Sequence, residues 1–196
     1  RAFDAENQMN SPAIPFTPFL GARVAVVGLG RAGLPAAARL RDWGAEVTVW
    51  DDKPAARQAA EAAGFVLSNP AEGAFRADAL LLSPGIPHYL PAPHPAAAAA
   101  VAAGAPILCD VEFLYRAVLA SHSRARFVGV TGTNGKSTTT ALIHHILRGA
   151  GMACEVGGNL GPAALDLNIL GSEGVYTLEM SSYMLERIAT LRFNVA

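Results

Sequence analysis

The sequence predicts an α/β protein built on two parallel sheets, with helices covering both faces of each sheet. Short apolar runs alternate with helical patterns along most of the 196 residues. Two glycine-rich turns, VGLGRAG and VTGTNGKST, each follow an apolar run and open a helix. Hydrophobic residues make up 52% of the chain and charged residues only 16%, which indicates a folded protein with a sizeable core.

The first series of elements begins at residue 23. Apolar runs and helical periodicity predict strands at 23–28, 46–51, 65–68, 79–83 and 106–109, and helices at 32–43, 54–63 and 94–105. Strands that alternate with helices in this way are joined by crossover connections, so the sheet is expected to be parallel.

A second series begins with a helix predicted at 110–123. It continues with strands at 126–130, 152–157, 175–180 and 192–196, and with a helix at 136–148. We therefore expect four segments: an N-terminal lead at 1–20, a first domain at 21–109, a connecting helix at 110–124 and a partial second domain at 125–196.

Composition argues against several classes of partner. The net charge is −1, and no cluster of Lys and Arg suits a phosphodiester backbone, so nucleic acid is not expected. No apolar run approaches the roughly 18–20 residues of a membrane-spanning helix, and the N-terminal stretch lacks the pattern of a signal peptide. We expect a cytoplasmic protein without membrane insertion. Cys109 and Cys154 form no CxxC pattern, so structural roles are expected for both.

The first glycine-rich turn has the GxGxxG spacing of a Rossmann-like nucleotide site. Gly28, Gly30 and Gly33 follow a strand and precede a helix, where free amide N–H groups attract a diphosphate. Asp51 ends the next strand, about where a ribose-binding acid belongs. Two alternatives stay open: the glycines only ease helix–strand packing, or the site belongs to an NAD-dependent oxidoreductase.

The second turn, TGTNGKST, predicts a P-loop that wraps the phosphates of ATP. Lys136 supplies a charge for the β- and γ-phosphates, and the Ser137 hydroxyl suits Mg²⁺. The general pattern places a glycine where this chain has Val130, whereas Gly132 lies inside the loop. The turn is thus a variant of the usual P-loop.

Two further motifs lie at predicted strand ends. Glu179 ends an apolar strand, where P-loop proteins often keep a metal-binding acid, although a solvated strand end is the alternative. The SPG sequence at 83–85 follows another strand, at the carboxyl edge where open α/β sheets bind ligands. A plain turn remains the alternative there.

Six motifs together resemble those of the Mur ligases, the ATP-dependent amide-forming enzymes of peptidoglycan precursor synthesis. They are VAVVGLGRAG, LLLSPGIP, PILCDVEFLYR, TGTNGKSTTT, GGNLGPAALDL and LEMSSYMLE. The resemblance runs from about residue 21 to residue 196, and the ATP loop of that family shares the departure at Val130. The motifs are most similar to the branch that adds D-glutamate to UDP-N-acetylmuramoyl-L-alanine. A branch using another amino acid, and a non-catalytic nucleotide-binding module, remain open.

The resemblance also implies site residues. The UDP part of the substrate would contact Gly28, Leu29, Gly30, Arg31, Ala32, Asp51, Lys53, Ser83, Gly85 and Asn159. ATP would contact Gly132, Thr133, Asn134, Gly135, Lys136, Ser137 and Thr138. Lys136 and Glu179 would be catalytic, and Ser137 and Glu179 would hold Mg²⁺. NAD is not implied by the first loop in this family.

The implied reaction transfers the γ-phosphate of ATP to the alanyl carboxylate and then replaces it with the amine of D-glutamate. The family has a third domain and further metal-binding residues beyond the segment matched, so we expect the chain alone not to complete the reaction. Tyr183 and Met184 stand where the family more often has Phe-Gln.

Overall fold

A computed structural model describes residues 16–159 and 161–196. It contains a five-stranded sheet and a three-stranded sheet, and the α/β class with parallel sheets is confirmed. Most of the lead predicted at 1–20 lies outside the described residues.

The first sheet has the strand order β3-β2-β1-β4-β5, and all of its pairs are parallel. Its elements are β1 (Arg23–Val27), α1 (Gly33–Asp42), β2 (Glu46–Trp50), α2 (Pro54–Ala62), β3 (Val66–Leu67), β4 (Ala79–Leu82), α3 (Pro95–Ala102) and β5 (Ile107–Leu108). The chain leaves β1 toward one edge and later returns beside it with β4, so the order reverses between these two strands. Open α/β sheets bind ligands at such a reversal.

The second sheet has the order β6-β8-β7, again parallel. The elements are α4 (Asp110–Ala120), β6 (Arg126–Val130), α5 (Lys136–Gly149), β7 (Cys154–Gly158), a 3-10 helix (Ala164–Asp166), β8 (Val175–Glu179) and α6 (Ser182–Leu185). Sequence periodicity did not predict the 3-10 helix or α6, because each is about one turn long. Across the described residues, the helices are too short or too polar to cross a membrane.

The strand predicted at 192–196 is wrong. Only Val195 forms a bridge, in parallel with Val128. The amide N–H of Phe127 donates to the side-chain oxygen of Asn194 at 2.8 Å instead of to a backbone carbonyl, so a second ladder position is not formed.

A continuous hydrophobic core joins the two sheets. The buried face of α4 lies at the junction: Phe113 contacts Phe19 on the side of the first sheet, and Tyr115 contacts Phe127 of β6. Arg39 of α1 donates to the carbonyl of Leu165 at 2.9 Å. Helix α4 is thus a packed element between the sheets rather than an exposed connection.

Candidate nucleotide sites

Parallel strands bring the first glycine loop, Asp51 and the SPG turn to one edge of the first sheet. Gly28 follows β1, Asp51 follows β2 and Ser83 follows β4. These carboxyl ends surround a cavity of about 550 Å³. The volume is within the range of small-molecule sites.

The cavity brings together all but one of the residues predicted to contact UDP. Those at its wall are Gly28, Gly30, Arg31, Ala32, Asp51, Lys53, Ser83, Gly85 and Asn159. Leu29 is the exception, since its side chain is buried in the core. Arg31 and Lys53 are exposed at the wall, which gives the cavity two cations suited to an anionic ligand.

The three glycines of the first loop are required for different reasons. Gly28 has φ of +90°, and a Cβ there would lie 2.7 Å from Ser83. A Cβ on Gly33 would overlap the carbonyl oxygen of Gly28. Gly30 has no such constraint, because a Cβ built on it meets nothing within 4 Å. The fold therefore needs glycine at 28 and 33, whereas only a ligand in the cavity would need it at 30.

Asp51 has a second use that its sequence position does not reveal. Its Oδ2 accepts the amide N–H of Leu29 at 2.7 Å, and its Oδ1 accepts that of Lys53 at 2.9 Å. The carboxylate therefore fixes the shape of the first loop from the end of β2. Each of its oxygens already has one protein donor, which leaves less capacity for a ribose hydroxyl.

The second glycine loop leads into α5 without a side-chain cap. Gly135, the residue before the helix, has φ of +80°, a conformation that glycine adopts freely. The Lys136 ammonium donates to the carbonyls of Gly132 at 2.7 Å and Thr133 at 3.4 Å. The uncapped N–H groups of the first turn and this ammonium together suit phosphate oxygens.

Strand register places Glu179 against both the P-loop and β7. Glu179 is the register partner of Val130 on β6 and of Gly158 on β7. Its carboxylate is buried and accepts the Ser137 hydroxyl at 2.7 Å and the Asn159 side-chain amide at 3.0 Å. Within the described residues no cationic side chain pairs with it. A buried carboxylate with only neutral partners is a suitable ligand for a cation.

One hydrogen-bonded chain connects the two loops. Arg31 donates to the backbone carbonyl of Asn159 at 3.1 Å, while the Asn159 side chain contacts Glu179, which in turn contacts Ser137. The cavity and the P-loop are therefore adjacent sites that share Asn159.

Sequence reasoning missed Asp110, which also lines the cavity. Its carboxylate accepts the amide N–H groups of Val111 at 3.0 Å and Ala164 at 3.1 Å. Burial raises the pKa of Asp110, although these hydrogen bonds oppose the shift. Acidic residues are common in the first turn of a helix, where they interact with free N–H groups. Nothing in the sequence therefore distinguished Asp110 from such a residue.

Two family models match the chain, and each match includes one of the two glycine loops. Residues 130–196 match the Mur ligase middle domain. Residues 23–85 match the NAD binding domain of 6-phosphogluconate dehydrogenase. A crystal structure of UDP-N-acetylmuramate:L-alanyl-gamma-D-glutamyl-meso-diaminopimelate ligase from Neisseria meningitides aligns with a TM-score of 0.45 and 20% identity, covering 81% of this chain and 52% of that one.

Curated relatives extend the likeness over nearly the whole chain. A protein of Ruegeria pomeroyi is 47% identical over 191 residues and one of Phenylobacterium zucineum is 48% identical over 185 residues. Both carry the name UDP-N-acetylmuramoylalanine–D-glutamate ligase, and each match covers 93% of this chain. The chain spans 41% and 39% of the length of these relatives. On this identity and on the middle-domain match, the chain belongs to the Mur ligase family.

Proposed function

We propose that the chain is the nucleotide-binding part of an ATP-dependent ligase that joins D-glutamate to UDP-N-acetylmuramoyl-L-alanine in the cytoplasm. The observation that carries the proposal is the pair of glycine loops at adjoining sheet edges, linked from Arg31 to Ser137 by hydrogen bonds. The names of the relatives support the amino acid and the sugar nucleotide. A ligase needs its acid substrate and ATP side by side, and this arrangement meets that need.

Each of the two sheets holds a different ligand. The first domain, 21–109, holds the UDP part of the substrate in the cavity, and the second, 125–196, holds ATP on the P-loop, with 110–124 between them. Arg31 and Lys53 neutralise the diphosphate of UDP. Both sites need a glycine loop because each holds a diphosphate against the start of a helix.

The chemistry follows from the poor reactivity of a carboxylate. Transfer of the γ-phosphate to the alanyl carboxylate gives an acyl phosphate, and the D-glutamate amine then displaces phosphate to form the amide. The chain contributes positioning and charge neutralisation: Gly132 to Thr138 surround the phosphates, and Lys136 stabilises the charge on the transferred group.

Ser137 in the first turn of α5 and Glu179 at the end of β8 fit a magnesium ion. Ser137 and Glu179 would hold it, because their oxygens are already 2.7 Å apart and the buried carboxylate has only neutral partners. An ion held there beside ATP would neutralise charge on the phosphate oxygens. Asn159 holds the other oxygen of Glu179 and so orients the carboxylate.

Calorimetric titration tests the assignment of the cavity. We expect UDP-N-acetylmuramoyl-L-alanine and UDP to bind the purified chain and NAD not to bind. Mg·ATP, as a separate titrant, is expected to bind without competing with UDP. Binding of NAD without binding of UDP would contradict the proposal.

An NAD-dependent oxidoreductase is the second candidate, because residues 23–85 match an NAD binding domain. The second glycine loop disfavours it, because a P-loop has no part in hydride transfer. The titration with NAD distinguishes the two candidates directly.

Replacing Glu179 with glutamine is expected to remove the effect of Mg²⁺ on ATP binding. In the unmodified chain we expect Mg²⁺ to increase ATP affinity by about tenfold, since the Glu179 carboxylate would hold the ion close to the phosphates. A glutamine lacks the negative charge, so ATP should bind equally with and without Mg²⁺. Titration of each variant with ATP at fixed Mg²⁺ or with a chelator measures the difference.

The matched control is Glu173→Gln, which removes a carboxylate that is 94% exposed. This variant should keep the full effect of Mg²⁺. An unchanged magnesium effect in Glu179→Gln would exclude Glu179 as a ligand of the ion.

A further inference from the structure

A buried arginine near the cavity is not among the residues predicted to form a site. Arg187 follows α6 and is only 1% exposed. Its guanidinium donates to the carbonyls of Leu82 at 2.8 Å, Ser83 at 2.9 Å and Ile86 at 2.6 Å. The same group lies 3.1–3.2 Å from Nδ1 of His88. Long charged side chains are rarely buried so completely unless their hydrogen bonds are satisfied.

All of these acceptors belong to the turn that follows β4, which we name the SPGI turn (83–86), and to the residues beside it. Ser83 and Gly85 of this turn line the cavity. The Ser83 hydroxyl donates to the carbonyl of Gly28 at 2.7 Å, so the turn also holds the first glycine loop. Arg187 thus contacts Ser83 in the wall of the cavity. Through Ser83 it is connected to Gly28 in the loop proposed to hold the diphosphate.

The charge of Arg187 is not neutralised by its direct partners. Three of them are backbone carbonyls, and the fourth is His88, whose pKa is lowered by burial and by the charge of Arg187. Glu186 lies 3.4 Å from Nε2 of His88, but it is 58% exposed. Arg31 and Lys53 line the cavity together with three aspartates, Asp51, Asp52 and Asp110. Arg187 therefore adds a buried positive charge behind a wall that carries both signs of charge.

Arg187 reaches the first sheet from the second. The segment from Glu179 to Arg187 begins at the proposed magnesium site and passes through Met184, which lines the cavity. At the end of this segment, the Arg187 guanidinium donates hydrogen bonds to carbonyls of the SPGI turn. The backbone carbonyl of Arg187 also accepts the amide N–H of Cys109 at 3.1 Å, which anchors the arginine beside β5.

We propose that Arg187 is a positioning residue for the sugar-nucleotide site. It holds the SPGI turn in the shape that accommodates a diphosphate, and so makes UDP binding in the first domain depend on the segment that carries Glu179. This role rests on the proposed use of the cavity for UDP. The guanidinium does not contact the ligand; it acts through Ser83 and Gly28.

The test compares Arg187→Gln with Arg187→Lys and with the control Arg192→Gln, which removes an exposed arginine that follows this segment in the chain. Hydrogen–deuterium exchange follows peptides covering 80–88 and 136–150, and calorimetry follows UDP and Mg·ATP. In Arg187→Gln we expect exchange at 80–88 to rise about tenfold and UDP affinity to fall about tenfold, since hydrogen bonds to a charged donor are lost. Arg187→Lys should be intermediate, because the three carbonyls accept from two different nitrogens of the guanidinium and lysine has only one.

Two measurements distinguish a positioning role of Arg187 from a general loss of stability. Exchange at 136–150 and affinity for Mg·ATP should stay within about twofold of the unmodified chain in all variants. A uniform rise of exchange across both peptides, or unchanged exchange at 80–88, would overturn the inference. If the unmodified chain fails to bind UDP, the proposed function of the cavity fails, whereas the exchange data still decide whether Arg187 holds the turn.

Discussion

Replacing Gly30 with valine is expected to lower the affinity for UDP by roughly 100-fold or more, because the added side chain would occupy the place of the diphosphate. The free energy of unfolding should change by no more than about 0.5 kcal/mol, as for a surface substitution. Gly30 lines the cavity, and a Cβ built on it meets no atom within 4 Å. Nothing in the described fold therefore resists the substitution.

The matched control is Gly33→Ala in the same loop. A Cβ at position 33 would overlap the carbonyl of Gly28, which is backbone and cannot move aside cheaply. We expect this variant to be destabilised by about 2–3 kcal/mol, as for other changes that force backbone shifts. Urea unfolding and UDP titration of both variants make the comparison. Unaltered UDP affinity in Gly30→Val would show that the loop does not approach a diphosphate.

Replacing Glu112 with glutamine is expected to destabilise the protein by about 3 kcal/mol at neutral pH, because several hydrogen bonds to a buried carboxylate are lost together. Glu112 of α4 is fully buried. Its oxygens accept the amide N–H groups of Ala189, Thr190 and Leu191 at 3.0–3.1 Å. Arg116 donates to it at 2.9 Å. The carboxylate thereby fastens the end of the described chain to the helix between the sheets.

The same residue should give the protein a steep loss of stability in acid. Burial alone would raise the pKa of Glu112, but hydrogen bonds from Thr190, Ala189 and Leu191 outweigh burial and lower the pKa to about 2. Because the folded pKa is below the unfolded one, this stabilisation is complete above about pH 4.5 and is lost as pH falls toward 2. Between pH 6 and pH 3 the loss amounts to about 2 kcal/mol.

Urea unfolding at pH 6 and pH 3 measures this contribution. The difference in unfolding free energy between the two pH values should be smaller in Glu112→Gln than in the unmodified chain by about 2 kcal/mol. Glu173→Gln serves as the control, since its carboxylate is exposed. Equal pH dependence in Glu112→Gln and the unmodified chain would contradict the low pKa.

Most of the strands and long helices could be predicted from the sequence, because buried parallel strands are apolar runs and each helix has its own periodicity. Strand β1 and helix α5 match their predicted ranges to within one residue. The failure at 192–196 has a physical cause: strand formation depends on what the neighbouring strand offers, and there the Asn194 side chain takes the N–H of Phe127.

The site could be predicted only in part. The glycine spacings indicated both loops, since phosphate binding at a helix start needs a tight turn that glycine permits. The assignments of individual residues to UDP, ATP and Mg²⁺ remain predictions. The structure adds that Asp51 holds the Leu29 amide, and that Gly30 differs from Gly28 and Gly33 in facing open space.

The sequence by itself determined the α/β class, the two glycine loops and the likeness to the Mur ligases, because these depend on local patterns of a few adjacent residues. Only the tertiary structure decided that Asn159 joins the two sites, that Glu112 fastens the segment after α6, and that Arg187 lies buried under the SPGI turn. The partners in these contacts are 20 to 128 positions apart in the chain. No local pattern encodes such pairs. Glu112 and Arg187 can be buried because folding brings backbone groups to them that satisfy their hydrogen bonds.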